Sequence, residues 1–128
     1  MTYVYLTAED VLAIAEQAVD DQAVAVRDLG LLESAVHRPS ASMFGQEAYS
    51  DLFDKAGALL QSLAINHPFL DGNKRTAWVS CVVFLAMNGA QLRLDVDAAE
   101  RLVIQVATGR MEDVKAIGQA LRELTEKP

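Results

Sequence analysis

The sequence predicts an all-α fold, one compact helical bundle around a central buried helix at about residues 73–88. Three observations predict it. Alanine supplies 20 of the 128 residues, and alanine loses no side-chain freedom on entering a helix. Glycine and proline together supply only 10, so helix breakers are few. Apolar residues recur at spacings of three and four along most of the chain, the period of a helix with one buried face. Residues 1–128 read as a single domain, long enough to bury its own core.

The elements follow in order. Thr7 and Asp10 form a capping pair before Ala8, Val11, Leu12, Ala15, Ala18 and Val19, which predicts a helix over 7–20. Residues 21–29 read as a polar connection, with Asp20-Asp21 a solvated turn. Leu31, Leu32, Ala35 and Val36 predict a short second helix, closed at Arg38-Pro39 because proline restricts the residue before it. Residues 39–50 read as a loop. Ser50 or Asp51 can cap a helix over 51–66, with Leu52, Phe53, Ala56, Leu59, Leu60, Leu63 and Ala64 on one face. Helix 73–88 is apolar nearly all round and ends at Asn88-Gly89. Gln91 to Val96 is an extended link, Asp97 caps a helix that ends at Gly109, and Glu112 to Glu126 is a last amphipathic helix.

Charge and composition exclude several functions. The net charge is -7, which argues against nucleic-acid binding through a broad basic face. The excess lies wholly in the first half: residues 1–64 carry 3 basic and 10 acidic side chains, and residues 65–128 carry 8 of each. A single cysteine, Cys81, excludes a disulfide framework and a cysteine zinc site. Cys81 and Trp78 are expected to be packing residues, and His37 a surface histidine. The N-terminus lacks the features of a signal peptide. The longest uncharged stretch, Thr76 to Leu92, is too short and polar to span a membrane. A cytoplasmic location is expected.

One segment does not read as packing. His67-Pro68-Phe69-Leu70-Asp71-Gly72-Asn73-Lys74-Arg75-Thr76 connects two apolar helices. Gly72 permits positive φ and close approach. Asn73 can cap the following helix, whose first N–H groups then face an anion. Lys74 and Arg75 stand in the same turn, where cations oppose the helix dipole by roughly 0.3–1 kcal/mol each. A phosphate ligand offsets that cost. Asp71 suits Mg²⁺, which takes one or two carboxylates together with substrate phosphates. His67 suits a general base. The segment is not a P-loop, since His67 and Asn73 stand where that motif needs its first glycine and its lysine.

HPFLDGNKRTA resembles the core motif of the Fic/Doc superfamily, His-Pro-Phe-x-Asp/Glu-Gly-Asn-Gly-Arg-x-x-Arg, and is closest to its Doc (death-on-curing) branch. His67, Pro68, Phe69, Asp71, Gly72, Asn73 and Arg75 match. Lys74 replaces a glycine, as in Doc-type toxins, and Trp78 replaces the second arginine. The resemblance extends over roughly residues 3–90, through Leu31 to Pro39 and Phe44-Gly45. It implies a Fic/Doc-like bundle and a type II toxin–antitoxin module. It further implies a kinase that passes the γ-phosphoryl of ATP to a threonine of elongation factor Tu, blocking translation. His67 would be the base, Asp71 would hold Mg²⁺, and Gly72, Asn73, Lys74 and Arg75 would cradle phosphate, with Lys74 acting in the transfer. Met43, Phe44 and Tyr49 would line a groove for the target or antitoxin, although Phe44 and Tyr49 fit a satellite core equally well. No Glu is followed by Gly or Asn, so the self-inhibitory motif of Fic enzymes is absent and inhibition is expected from a separate Phd-like antitoxin. A Fic-type AMP transferase and a catalytically silent antitoxin-binding module are the alternatives.

Overall fold

Each predicted helix forms, and its end residues explain its limits. The computed structural model describes residues 2–18 and 24–125. Helix α1 is Ala8–Ala18. The Thr7 N–H donates to Asp10 Oδ2 at 2.9 Å and the Asp10 N–H to Thr7 Oγ1 at 3.1 Å, so two end groups satisfy each other. The expected end at 20 and the Asp20-Asp21 turn lie outside the described residues. Helix α2, Leu29–His37, starts two residues before the first expected apolar position, because the Asp28 carboxylate accepts from the Leu31 N–H at 3.0 Å. It runs into a short 3₁₀ turn, Arg38–Ser40, holding buried Pro39.

The expected loop contains a small hairpin. Strands β1 (Ser42–Met43) and β2 (Gln46–Glu47) pair antiparallel, Ser42 with Glu47 and Met43 with Gln46. Phe44 and Gly45 form the tip with φ of 53° and 77°. Positive φ at both central residues matches the twist of a two-residue hairpin. With strands of only two residues there is no alternation to read.

Helices α3 (Leu52–Asn66) and α4 (Asn73–Met87) pack against each other at the centre. Leu59, Leu60, Leu63, Ala77, Cys81, Phe84 and Leu85 are buried there. Helix α4 is flanked by α1, α3 and α5 (Val96–Ala107), as its apolar composition demands. Helix α5 starts earlier than expected: its cap is Asp95, which accepts from the Ala98 N–H at 3.0 Å, and not Asp97. Helix α6, Val114–Glu123, is capped by Asp113. The extended link joins it through a bridge between Leu92 and Thr125.

Helix α6 crosses α3 at two glycines. A β-carbon on Gly57 would meet the Val114 carbonyl oxygen at 3.2 Å, and one on Gly118 would meet the Asp54 nitrogen at 3.1 Å. At the same end Arg122 pairs with Asp51 and covers the Phe53 ring at 4.5 Å. Asp51 is thus the N-cap of α3 by position, but its carboxylate serves Arg122. Among the described residues no helix is long and apolar enough to cross a membrane.

Candidate active site

The connection between α3 and α4 holds the candidate site. His67 ends α3 in a left-handed conformation, φ 51° and ψ 61°. A residue with a β-carbon costs roughly 1–2 kcal/mol there. Surrounding bonds hold it. Arg27 Nε donates to the His67 carbonyl at 2.6 Å and Arg27 Nη2 to the Asn66 carbonyl at 2.7 Å. A cation so placed also complements the negative end of the helix dipole. The Arg27 and Asp28 N–H groups both donate to the Pro68 carbonyl, at 2.7 and 3.1 Å, and the Leu70 N–H donates to the Ala25 carbonyl at 3.0 Å. Buried Phe69 fastens the loop from beneath.

The structure corrects the expected role of Asn73. The N-cap of α4 is Gly72, at φ 76°, and no side chain caps this helix. Asn73 instead turns back on the loop. Its Oδ1 accepts from the Phe69 N–H at 3.0 Å and its Nδ2 donates to the Phe69 carbonyl at 2.9 Å. Both ends of the amide are spent on one backbone residue, so Asn73 can meet a ligand through its main-chain N–H. The Asp71 carboxylate bonds the Gly72 N–H through Oδ1 at 2.8 Å. The next N–H groups of the turn have no helical partner, as at any helix start.

These groups surround one cavity of about 430 Å³, lined by His67, Leu70, Asp71, Gly72, Asn73, Lys74 and Arg75. It therefore combines an imidazole, a carboxylate, two cations and an uncapped helix N-terminus. Arg75 also donates from Nη1 to the Ala18 carbonyl at 2.6 Å, which ties α4 to the end of α1. Among the described residues no three His, Cys, Asp or Glu side chains cluster as a self-sufficient metal cage. A single carboxylate beside a phosphate site is the donor set that Mg²⁺ takes when phosphates complete its shell.

The other singled-out residues lie apart. Met43 is 70% and Phe44 97% exposed at the hairpin, and neither they nor Tyr49 line the cavity. Phe44 belongs to no satellite core. The Tyr49 hydroxyl accepts from Arg38 Nε at 3.1 Å, and the Arg38 guanidinium lies 5.5 Å from its ring, so Tyr49 fastens the base of the hairpin. Lys55 does the same from α3. It is fully buried, donates to Glu47 Oε1 at 3.1 Å and to the Pro39 carbonyl at 3.2 Å, and faces the rings of Tyr3 and Tyr5. His37 is a surface residue near Glu33, and Cys81 is buried. Trp78 is only partly buried.

Sequence reasoning missed Arg27, which lies in the segment read as a polar connection. A signal existed: Arg27, Arg38 and Lys55 are the 3 cations of an acidic half. Each is committed to bonds that hold the site or the hairpin.

The sequence pattern of the Fic/DOC family matches residues 5–85, from the segment just before α1 through most of α4, with the cavity segment inside it. The chain belongs to the Fic/DOC family. Among Fic/DOC relatives it is 54% identical over 106 residues to a protein of Mycolicibacterium smegmatis named Toxin Doc, covering 81% of each chain. It is 35% identical over 97 residues to a protein of Escherichia phage P1 named Protein kinase doc, covering 76% of this chain and 75% of that one. The mostly helical architecture agrees with Fic/DOC membership.

Proposed function

We propose that this Fic/DOC protein is a Doc-type toxin kinase that moves the γ-phosphoryl group of ATP onto a threonine hydroxyl of elongation factor Tu. The observation that carries the proposal is the shared cavity: His67 stands beside an uncapped helix start whose first turn bears Lys74 and Arg75. The name of the phage P1 relative supports a kinase.

In this scheme the His67 imidazole accepts the proton of the target hydroxyl. The hydroxyl oxygen bonds the γ-phosphorus, the bond from that phosphorus to the bridging oxygen breaks, and ADP leaves. Lys74, Arg75 and the first N–H groups of α4 meet the phosphate oxygens as charge gathers on them, which lowers the barrier more than it strengthens ground-state binding. Asp71 would hold Mg²⁺, which neutralises phosphate charge when bound. A separate antitoxin chain would restrain the toxin, its segment folding as it binds.

The test is label transfer. The purified chain is incubated with elongation factor Tu and ATP labelled at the α- or the γ-phosphate. Label from the γ-position alone is the expected result. Label from the α-position means AMP transfer and overturns the kinase proposal. No label in elongation factor Tu, nor in any protein of a cell lysate treated in the same way, means a binding module.

A further inference from the structure

We infer that the groove between α4 and α5 takes the nucleoside end of the nucleotide, with a purine base laid on the indole of Trp78. The inference rests on the nucleotide reading above and adds where the rest of that molecule lies.

A second hollow, of about 500 Å³, adjoins the site cavity. Its walls include Lys74, Arg75, Trp78, Glu100, Val103 and Ile104. Lys74 and Arg75 wall the first cavity as well. The two hollows therefore meet across the same two cations. The volume lies within the roughly 300–1,000 Å³ of small-molecule sites.

The chemistry changes from one hollow to the other. The first presents cations, a carboxylate and backbone N–H groups. Beyond those two shared cations, the second presents one indole, aliphatic side chains and one carboxylate. A nucleotide has the same gradient, from charged phosphates to a flat heterocycle. Glu100 offers an acceptor to an exocyclic amine or a ribose hydroxyl.

Direction agrees too. Trp78 follows Lys74 and Arg75 by about one turn, on the same side of α4 and about 5 Å further along its axis. A terminal phosphate reacting at His67 sends the nucleoside away from His67, down this groove. Apolar surface is also left open along its edge, since Val96 is 68% and Ile104 44% exposed. A base laid over the indole covers that surface.

Trp78 is the only tryptophan, so intrinsic fluorescence reports on the groove. The unmodified full chain is titrated with Mg²⁺-ATP and, as a base-free probe, with Mg²⁺-tripolyphosphate, and both affinities are measured by calorimetry. ATP is expected to quench the emission, and tripolyphosphate to bind without quenching it. Ile104→Asp, at the open edge, is expected to weaken ATP about tenfold, the size of one lost base–aromatic stack, and to leave tripolyphosphate unchanged. Trp78→Leu is expected to do the same, with circular dichroism to check its fold. Unchanged ATP affinity in both variants, or an equal loss for both ligands, overturns the groove assignment alone. Failure of the unmodified chain to bind either ligand overturns the nucleotide reading with it.

Discussion

The Arg27 guanidinium closes the end of α3 on the carbonyl of His67, at 2.6 Å, and on that of Asn66, at 2.7 Å. Arg27 touches the backbone of the candidate base, so it is a positioning residue. Arg27→Ala is expected to destabilise the fold by about 1 kcal/mol, the net worth of exposed hydrogen bonds at a helix end. It is expected to lower kcat at least tenfold with little change in the KM for ATP. Arg27→Lys, which keeps the charge and loses the fork, is expected to recover part of both. A KM effect with kcat intact would contradict the assignment.

His67, the proposed base, sits in a strained backbone conformation. At its φ of 51° glycine is favoured over any residue with a β-carbon. His67→Gly and His67→Ala are both expected to end phosphoryl transfer and growth arrest. His67→Gly is expected to be more stable than His67→Ala by about 1 kcal/mol. Denaturant unfolding of the pair measures the strain; a folded His67→Ala protein that still arrests growth would exclude His67 as the base.

Lys74 opposes the dipole of the helix it opens. Lys74→Glu is expected to stabilise the protein by about 0.5–1 kcal/mol while abolishing ATP binding. Lys74→Gly, which removes the whole cationic side chain, is expected to cut phosphoryl transfer sharply. Thermal melts and transfer rates measured on the same preparations test both. An unchanged rate in Lys74→Gly would show that Lys74 meets no phosphate.

Lys55 ties the hairpin to the core as a cation. Burial pulls its pKa down, yet the neighbouring Tyr5 and Glu47 outweigh burial and raise it above the ordinary 10.5. A raised folded-state pKa means stability that is fully present below 10.5 and lost as pH climbs through the folded value. Lys55→Met is expected to cost about 1–3 kcal/mol at neutral pH, because the Pro39 carbonyl loses its donor. The gap between the two proteins is expected to narrow above pH 10.5. A gap that stays constant to higher pH would show that the ammonium charge plays no part.

Cys81 offers a probe of unfolding. Burial pushes its thiol pKa far above the usual range, and the side chain is fully enclosed. At pH 8 a thiol reagent is expected to leave the native protein unmodified and to react promptly in denaturant. Fast native labelling would contradict the burial.

Helix periods and caps were legible where they depended on near neighbours, as with Thr7 and Asp10 or the end of α4 at Asn88-Gly89. The cavity segment was legible for its chemistry, since six residue types suited to a phosphate site (His, Asp, Gly, Asn, Lys and Arg) fall within nine positions. What escaped depended on local detail finer than residue type and period, or on a distant partner. Asn73 reads as a cap, but Phe69 offers its amide two backbone partners at once. Asp97 reads as a cap, but the chain turns helical two residues sooner, at Val96, which gives the role to Asp95. The hairpin escaped because its strands are shorter than a period. Arg27 escaped because the 39 and 40 residues to its acceptors hide the pairing.

The crossing of α6 over α3 carries the packing of the site beyond the family pattern. The family pattern stops at residue 85, and all residues lining the cavity precede that point. Yet α3, which delivers His67, leans on α6 through Gly57 and Gly118 with no room for a methyl group. A chain cut at residue 90 would keep every reactive group and lose the support that aims them. The family pattern and the packing that supports the site thus have different borders, and the packing reaches further.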